Sequence, residues 1–200
     1  MTMVADFTYR DARKTDARDI AELFQISSDG VADYVWSTLT SEYPGLSLIE
    51  IGEQRYARDG GKDVAFSFAN CVVAEAAGHV VGMMHAYPMP ESDSQDDGPG
   101  DPVLQPYSEL ELPGSLYVSG IALRDDFRNR GGGTALLAIA REVARTEGLN
   151  RLSLLVFEQN TAAMRLYQRE GFAEIDRRAV VPHEFIHYTG DVVLMAGPAV

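Results

Sequence analysis

The sequence predicts an α/β protein with a mixed sheet flanked by helices. Three observations carry this. Short apolar runs bounded by turn residues alternate with longer stretches of helical periodicity. A glycine-rich turn, Arg128 to Gly133, links a strand-like segment (Ser115 to Leu123) to a helix-like one (Thr134 to Glu147). A second strand-to-helix unit follows, with Arg151 to Phe157 running into a helix opened by Asn160 and closed by Gly171-Phe172.

Along the chain, Phe7 to Arg10 alternates as a first strand. Thr15 N-caps a first helix with Ile20, Leu23 and Phe24 on one face. Further helices are expected over Val31 to Leu39 and Leu46 to Arg58, separated by Pro44-Gly45. Ala69 to Glu75 and Val80 to Tyr87 form a hairpin turning at Ala77-Gly78. Pro88 to Gly114 then stands apart, with six of the nine prolines, seven acidic residues and no Lys or Arg. It is expected to be an insertion between the third and fourth strands. Within it, Val103 to Leu112 forms a short helix, and the stretch Ser92 to Gly100 is disordered or the later part is a lid. Phe172 to Val180 and Phe185 to Met195 are the last strands, the latter closing the sheet. Residues 1–200 are thus expected to be one domain interrupted at about 88–114.

Composition excludes several function classes. At 46% hydrophobic and 24% charged residues, the chain has an ordinary globular balance. A net charge of −13 argues against nucleic acid as a partner and against an acidic membrane surface. It suits a cationic amine, and equally suits a merely soluble surface. No apolar run reaches the roughly 18 residues of a membrane span. Met1 to Phe7 lacks signal-peptide features. The single cysteine, Cys71, lies in an apolar stretch and reads as a small buried hydrophobe. The four histidines and this cysteine show no metal-ligand spacing, so no metal is expected. These features favour the cytoplasm, as a monomer or a homodimer.

The glycine turn carries the chemistry. A helix start leaves backbone N–H groups unpaired, and the helix dipole adds partial positive charge there. Glycines let the backbone approach an anion, and Arg128 and Arg130 add cations. A nucleotide P-loop would need Lys followed by Ser or Thr after its last glycine, where Thr134-Ala135 stands. A dinucleotide fingerprint would need Gly or Ala where Leu136 stands.

The turn Arg128-x-x-Gly131-x-Gly133 and the helix carrying Asn160 and Tyr167, in this order of strands and helices, resemble the GNAT N-acetyltransferase superfamily. The resemblance is specific over Leu116 to Phe172 and rests on element order elsewhere. It implies a mostly antiparallel sheet of six or seven strands. It further implies that Arg128, Asn129, Arg130, Gly131, Gly132, Gly133 and Thr134 cradle the pyrophosphate of acetyl-CoA. Ile121, Ala122 and Leu123 would bond the pantetheine arm, Asn160 would contact the cofactor, and Tyr167 would protonate the departing thiolate. An unperturbed tyrosine, near pKa 10, is protonated at pH 7 and can donate.

The implied reaction is acetyl transfer to a primary amine, expected to belong to a small molecule. A protein N-terminus or lysine, or a non-catalytic acyl-CoA-binding module, stay open as alternatives. The family's usual general-base positions hold Leu155 and Tyr117 here, so neither carboxylate is present. His85, Glu111, Tyr117 and Ser119 are the residual candidates for the acceptor side. Tyr117 and Ser119 share one strand face, and His183 and His187 lie near the final strand.

Overall fold

The computed structural model describes residues 7–90 and 100–199. Their strands form one seven-stranded sheet. In chain order these are β1 (Thr8–Asp11), β2 (Cys71–Ala76), β3 (His79–Pro88), β4 (Leu116–Leu123), β5 (Arg151–Phe157), β6 (Ala173–Ala179) and β7 (Asp191–Pro198). Their spatial order is β1-β2-β3-β4-β5-β7-β6. The β1–β2, β2–β3, β5–β7 and β6–β7 pairs are antiparallel, while β4 and β5 run parallel. The helices are α1 (Ala17–Ser27), α2 (Val31–Thr38), α3 (Leu48–Tyr56), α4 (Gln105–Ser108), α5 (Gly132–Thr146) and α6 (Thr161–Arg169). The chain divides into two compact units. Among the described residues, one holds 7–86 with 120–136, and the other holds 87–90, 100–119 and 137–199.

In the first unit, Ile20, Leu23, Ile51 and Trp36 bring α1, α2 and α3 into one core with Val73 and Met83 of the hairpin. Ile20, Leu23 and Phe24 are buried at helical spacing, as the periodicity predicts. The α1 start differs from expectation. Thr15 lies in a 3-10 turn, Lys14–Asp16, and the α-helix begins at Ala17. The reason is Asp16. Its carboxylate accepts the Arg13 N–H at 2.7 Å and the Arg10 guanidinium at 2.7 Å, which tightens this turn. α3, expected over Leu46 to Arg58, spans Leu48–Tyr56 and opens with a capping box, Glu50 accepting the Ser47 N–H at 2.8 Å. The hairpin turns at Ala77 (φ 52°) and Gly78 (φ 81°), both left-handed, which matches the twist of the flanking strands.

The second unit corrects two expectations. The final strand is Asp191–Pro198, not a run from Phe185, and residues 184–190 lead into it as turns and loop. It also does not close the sheet. β7 lies between β5 and β6, so β6 is the edge. The side chains explain the order. Val192 to Met195 are at most 3% exposed, as a strand flanked on both sides requires, whereas β6 carries Glu174, Asp176, Arg177 and Arg178 and is exposed along nearly its whole length. In the insertion, the expected helix over Val103 to Leu112 shortens to α4. Pro106 and Leu110 are buried, the Tyr107 ring meets Phe157 edge-on, and Glu109 pairs with Arg178 at 2.9 Å. The disorder expected around Ser92 to Gly100 falls almost entirely on residues 91–99, outside the described residues.

Candidate active site

The glycine turn belongs to the first unit. β4 ends at Leu123, a 3-10 turn follows at Asp125–Phe127, and the backbone then goes left-handed at Asn129 (φ 60°) and Gly131 (φ 83°). α5 begins at Gly132, two residues before the expected Thr134, so its first turn is itself glycine-rich. A Cβ on Gly131 would meet nothing within 4 Å, so the turn surface there is open. A Cβ on Gly132 would come within 2.9 Å of the Leu123 side chain, so this glycine lets the helix start lie tightly on β4. Arg128 braces the loop. Its Nε donates to the Leu123 carbonyl at 3.1 Å and its other end pairs with Asp125 at 3.0 Å. The Arg130 guanidinium lies 5.5 Å from the Phe127 ring centre. The turn thus puts an open glycine surface at the positive end of the dipole of a 15-residue helix, an arrangement that suits an anionic group.

The second unit carries Asn160, Tyr167, Tyr117 and Glu111. Asn160 caps α6, its Oδ1 accepting the Ala163 N–H at 3.2 Å. Tyr167, nearly two turns on, stacks obliquely on Phe172 with ring centres 5.8 Å apart. Gly171 (φ 84°) makes the left-handed exit that returns the chain to β6. The β4–β5 ladder is short. It joins Leu116 to Leu152 and Tyr117 to Ser153, and β4 continues beyond it for six residues. Buried hydroxyls of Ser115 and Ser153 bond at 2.7 Å below this point. Tyr117 stands where the ladder ends, edge-to-face with Tyr87 at 5.6 Å. Burial pushes the Tyr117 phenol far above its ordinary range, with Tyr87, Glu111 and Tyr167 adding to it. Burial, then the charge of Glu111, pushes the Tyr87 phenol up to about 12. Both phenols are therefore hydrogen-bond donors at neutral pH.

The remaining acceptor-side candidates do not converge. His85, in the first unit, is fully buried within a box of Phe24, Tyr56 and Phe66 rings at 5.2–5.8 Å. Its Nε2 donates to the Ala65 carbonyl at 2.7 Å, leaving Nδ1 to accept from the Tyr56 hydroxyl at 3.4 Å. Burial lowers its pKa to about 4. This is a core histidine holding helix to hairpin, and it leaves the acceptor candidates. Ser119 is partly exposed on β4. His183 accepts the Phe185 N–H at 3.3 Å and His187 is exposed. Cys71 is buried, its thiol directed at the Ser67 carbonyl and pushed well above the usual thiol range by burial. Tyr87 was missed by sequence reasoning; its only signal was an aromatic at the strand end, just before Pro88.

Among the described residues no cluster of three or more metal-ligating side chains occurs. No helix there is long and apolar enough to cross a membrane.

The profile of the acetyltransferase (GNAT) family matches residues 32–172. The chain belongs to this GNAT family. Acetyl-CoA is the family's acetyl donor, and the open glycine turn at the start of α5 fits its phosphates. A mycothiol acetyltransferase from Cellulomonas flavigena is 32% identical over 108 residues, 54% of this chain and 28% of that protein. The chain thus spans little more than a quarter of that relative's length. Among solved structures, an acetyltransferase has a TM-score of 0.66 at 23% identity, over 96% of this chain and all of its own. The structure of yncA from Salmonella typhimurium with its cofactor acetyl-CoA has a TM-score of 0.57 at 17% identity, over 98% and 95% of the two chains. At these identities the two structures establish the likeness of the GNAT fold.

Proposed function

We propose that the chain is an acetyl-CoA-dependent N-acetyltransferase that acts on the primary amine of a small molecule by direct attack in a ternary complex. The observation that carries this is the left-handed Arg128 to Gly133 turn opening α5. Acetyl-CoA supplies the activated acetyl group as a thioester. The amides from Asn129 to Thr134 bind its pyrophosphate, and the backbone of Ile121, Ala122 and Leu123 holds its arm in line. Backbone N–H groups of β4, continuing beyond the last β5 pair, are the donors for the oxyanion of the addition step. A well-placed donor of this kind contributes a factor of about 10² or more. Tyr167 protonates the leaving thiolate, and Asn160 fixes the helix that carries it. Positioning of two bound reactants supplies much of the remaining acceleration. A net charge of −13 supports a cationic acceptor over an anionic one.

The test is thiol release from acetyl-CoA with a panel of small amines. Tyr167→Phe should lower kcat roughly ten- to a thousandfold with acetyl-CoA affinity nearly intact. Wild-type turnover in that variant, with chemistry rate-limiting, removes Tyr167 from the mechanism. Acetyl-CoA binding without turnover on any amine identifies a binding module. Turnover only on protein N-termini or lysines replaces the small-molecule acceptor.

A further inference from the structure

The insertion that precedes β4 is held against the strand ends by its own backbone. Met89 N–H donates to the Ser115 carbonyl at 2.9 Å and Gly114 N–H to the Met89 carbonyl at 3.3 Å. The Ser115 hydroxyl donates to the Leu112 carbonyl at 2.7 Å, and Leu110 is buried. Glu111 lies between these anchors and remains exposed. Its backbone is therefore held near the ends of β3 and β4, where Tyr87 and Tyr117 meet edge-to-face. Burial raises the pKa of both phenols, and the Glu111 charge adds to it at each.

We propose that Glu111 and the rings of Tyr87 and Tyr117 form the site at which the acceptor's amine docks in its protonated form, giving up that proton to solvent before its nitrogen attacks. This rests on the transferase reading above and names the substrate class at its acceptor side. The chemistry is complementary on each count. An edge-to-face pair leaves ring faces directed away from the contact, and a ring face attracts an ammonium through its quadrupole. A carboxylate beside the rings supplies the opposite charge. The two phenols stay protonated, so they add no competing negative charge and can accept an ammonium N–H through oxygen lone pairs. An anionic group at the same place would face the Glu111 carboxylate. Tyr117 stands where β4 leaves β5, which gives the ammonium a site beside the strand that continues toward Ile121.

The site can be read without catalysis, by following tyrosine ring resonances in an NMR titration with tetramethylammonium chloride. tert-Butanol, neutral and of nearly the same shape, is the comparator. Tetramethylammonium should shift the Tyr87 and Tyr117 ring signals and tert-butanol should not. Glu111→Gln and Tyr87→Leu should each weaken the cation tenfold or more, while Tyr87→Phe, which keeps the ring, should stay within about threefold. Thermal melts of each variant establish that it is folded, and the wild-type comparison of cation with neutral isostere needs no variant. Equal binding of tert-butanol, or parent affinity in folded Glu111→Gln, overturns the proposal. Acetyl-CoA is titrated into the same samples. Cation binding absent with acetyl-CoA binding retained overturns this site alone. Acetyl-CoA failing to bind overturns the transferase reading, and the cation result then stands or falls by its own titration.

Discussion

His85 makes the stability of the first unit sensitive to mild acid. Its folded pKa, lowered to about 4 by burial, lies below an unfolded value of about 6.5. The fold favours the neutral ring further, because Nε2–H serves the Ala65 carbonyl and Nδ1 serves Tyr56 in a space lined by aromatic rings. Between the two values the unfolded chain binds a proton that the folded chain refuses, so stability is fully present above pH 6.5 and falls as pH drops toward 4. Linkage with these values gives a loss of about 2 kcal/mol from pH 7 to pH 5, rising to about 3 kcal/mol at pH 4. The carboxylates held low by partners lose their contribution below this window. Asp16 is one: burial alone would raise it, but the Arg10 hydrogen bonds keep it depressed. Urea denaturation at pH 7, 6 and 5 measures the slope. His85→Phe preserves the aromatic packing and should remove most of it, whatever its cost at pH 7. Parallel stability–pH curves for the parent and this variant would refute the reasoning.

Three further outcomes are expected. Gly131→Ala places a side chain at φ 83°, costing about 1 kcal/mol in urea denaturation, and Gly131→Val should also weaken acetyl-CoA at least tenfold by calorimetry; unchanged affinity in folded protein would dissociate the turn from the phosphates. Gly52→Ala puts a Cβ 2.5 Å from the buried Trp36 ring, so despite better helix propensity it should cost about 1–2 kcal/mol and alter the emission of this single tryptophan; an unchanged spectrum and melting temperature would disprove the contact. The Tyr107 hydroxyl is buried without a hydrogen-bond partner, so Tyr107→Phe should leave stability equal or raise it by about 1 kcal/mol, and a loss of that size would mean the hydroxyl is bonded.

The features read directly from the sequence are those determined by neighbouring residues. Gly78, Gly131 and Gly171 adopt the left-handed backbone their turn positions demand, and Asn160 caps the helix it precedes. These depend on a few consecutive dihedral angles. The reading failed where long-range contacts decide. Thr15 lost its capping role because Arg10 and Asp16 drew the turn together. His85 reads like a strand residue near a functional face, yet α1, α3 and the Phe66 segment enclose it. The position of β7 was misread, because pairing between distant segments, not neighbouring residues, sets the order β5-β7-β6. The tyrosine pair could not be seen, because Tyr87 and Tyr117 are brought together only after the insertion closes through Met89 and Ser115.

The placement of β7 also has a bearing on how the chain is made. β5 and β6 are separated by a strand that emerges after both of them. Until Asp191 to Pro198 has left the ribosome, Leu154 and Val156 of β5 have no antiparallel partner on that side, and β6 has no sheet to join. The nascent second unit thus displays an unsatisfied apolar strand edge, the kind of surface that pairs with other chains. Deleting residues 191–198 would therefore do more than remove one strand. It would leave both neighbours unpaired together, and yield in a cell should fall abruptly, rather than in proportion to the residues removed.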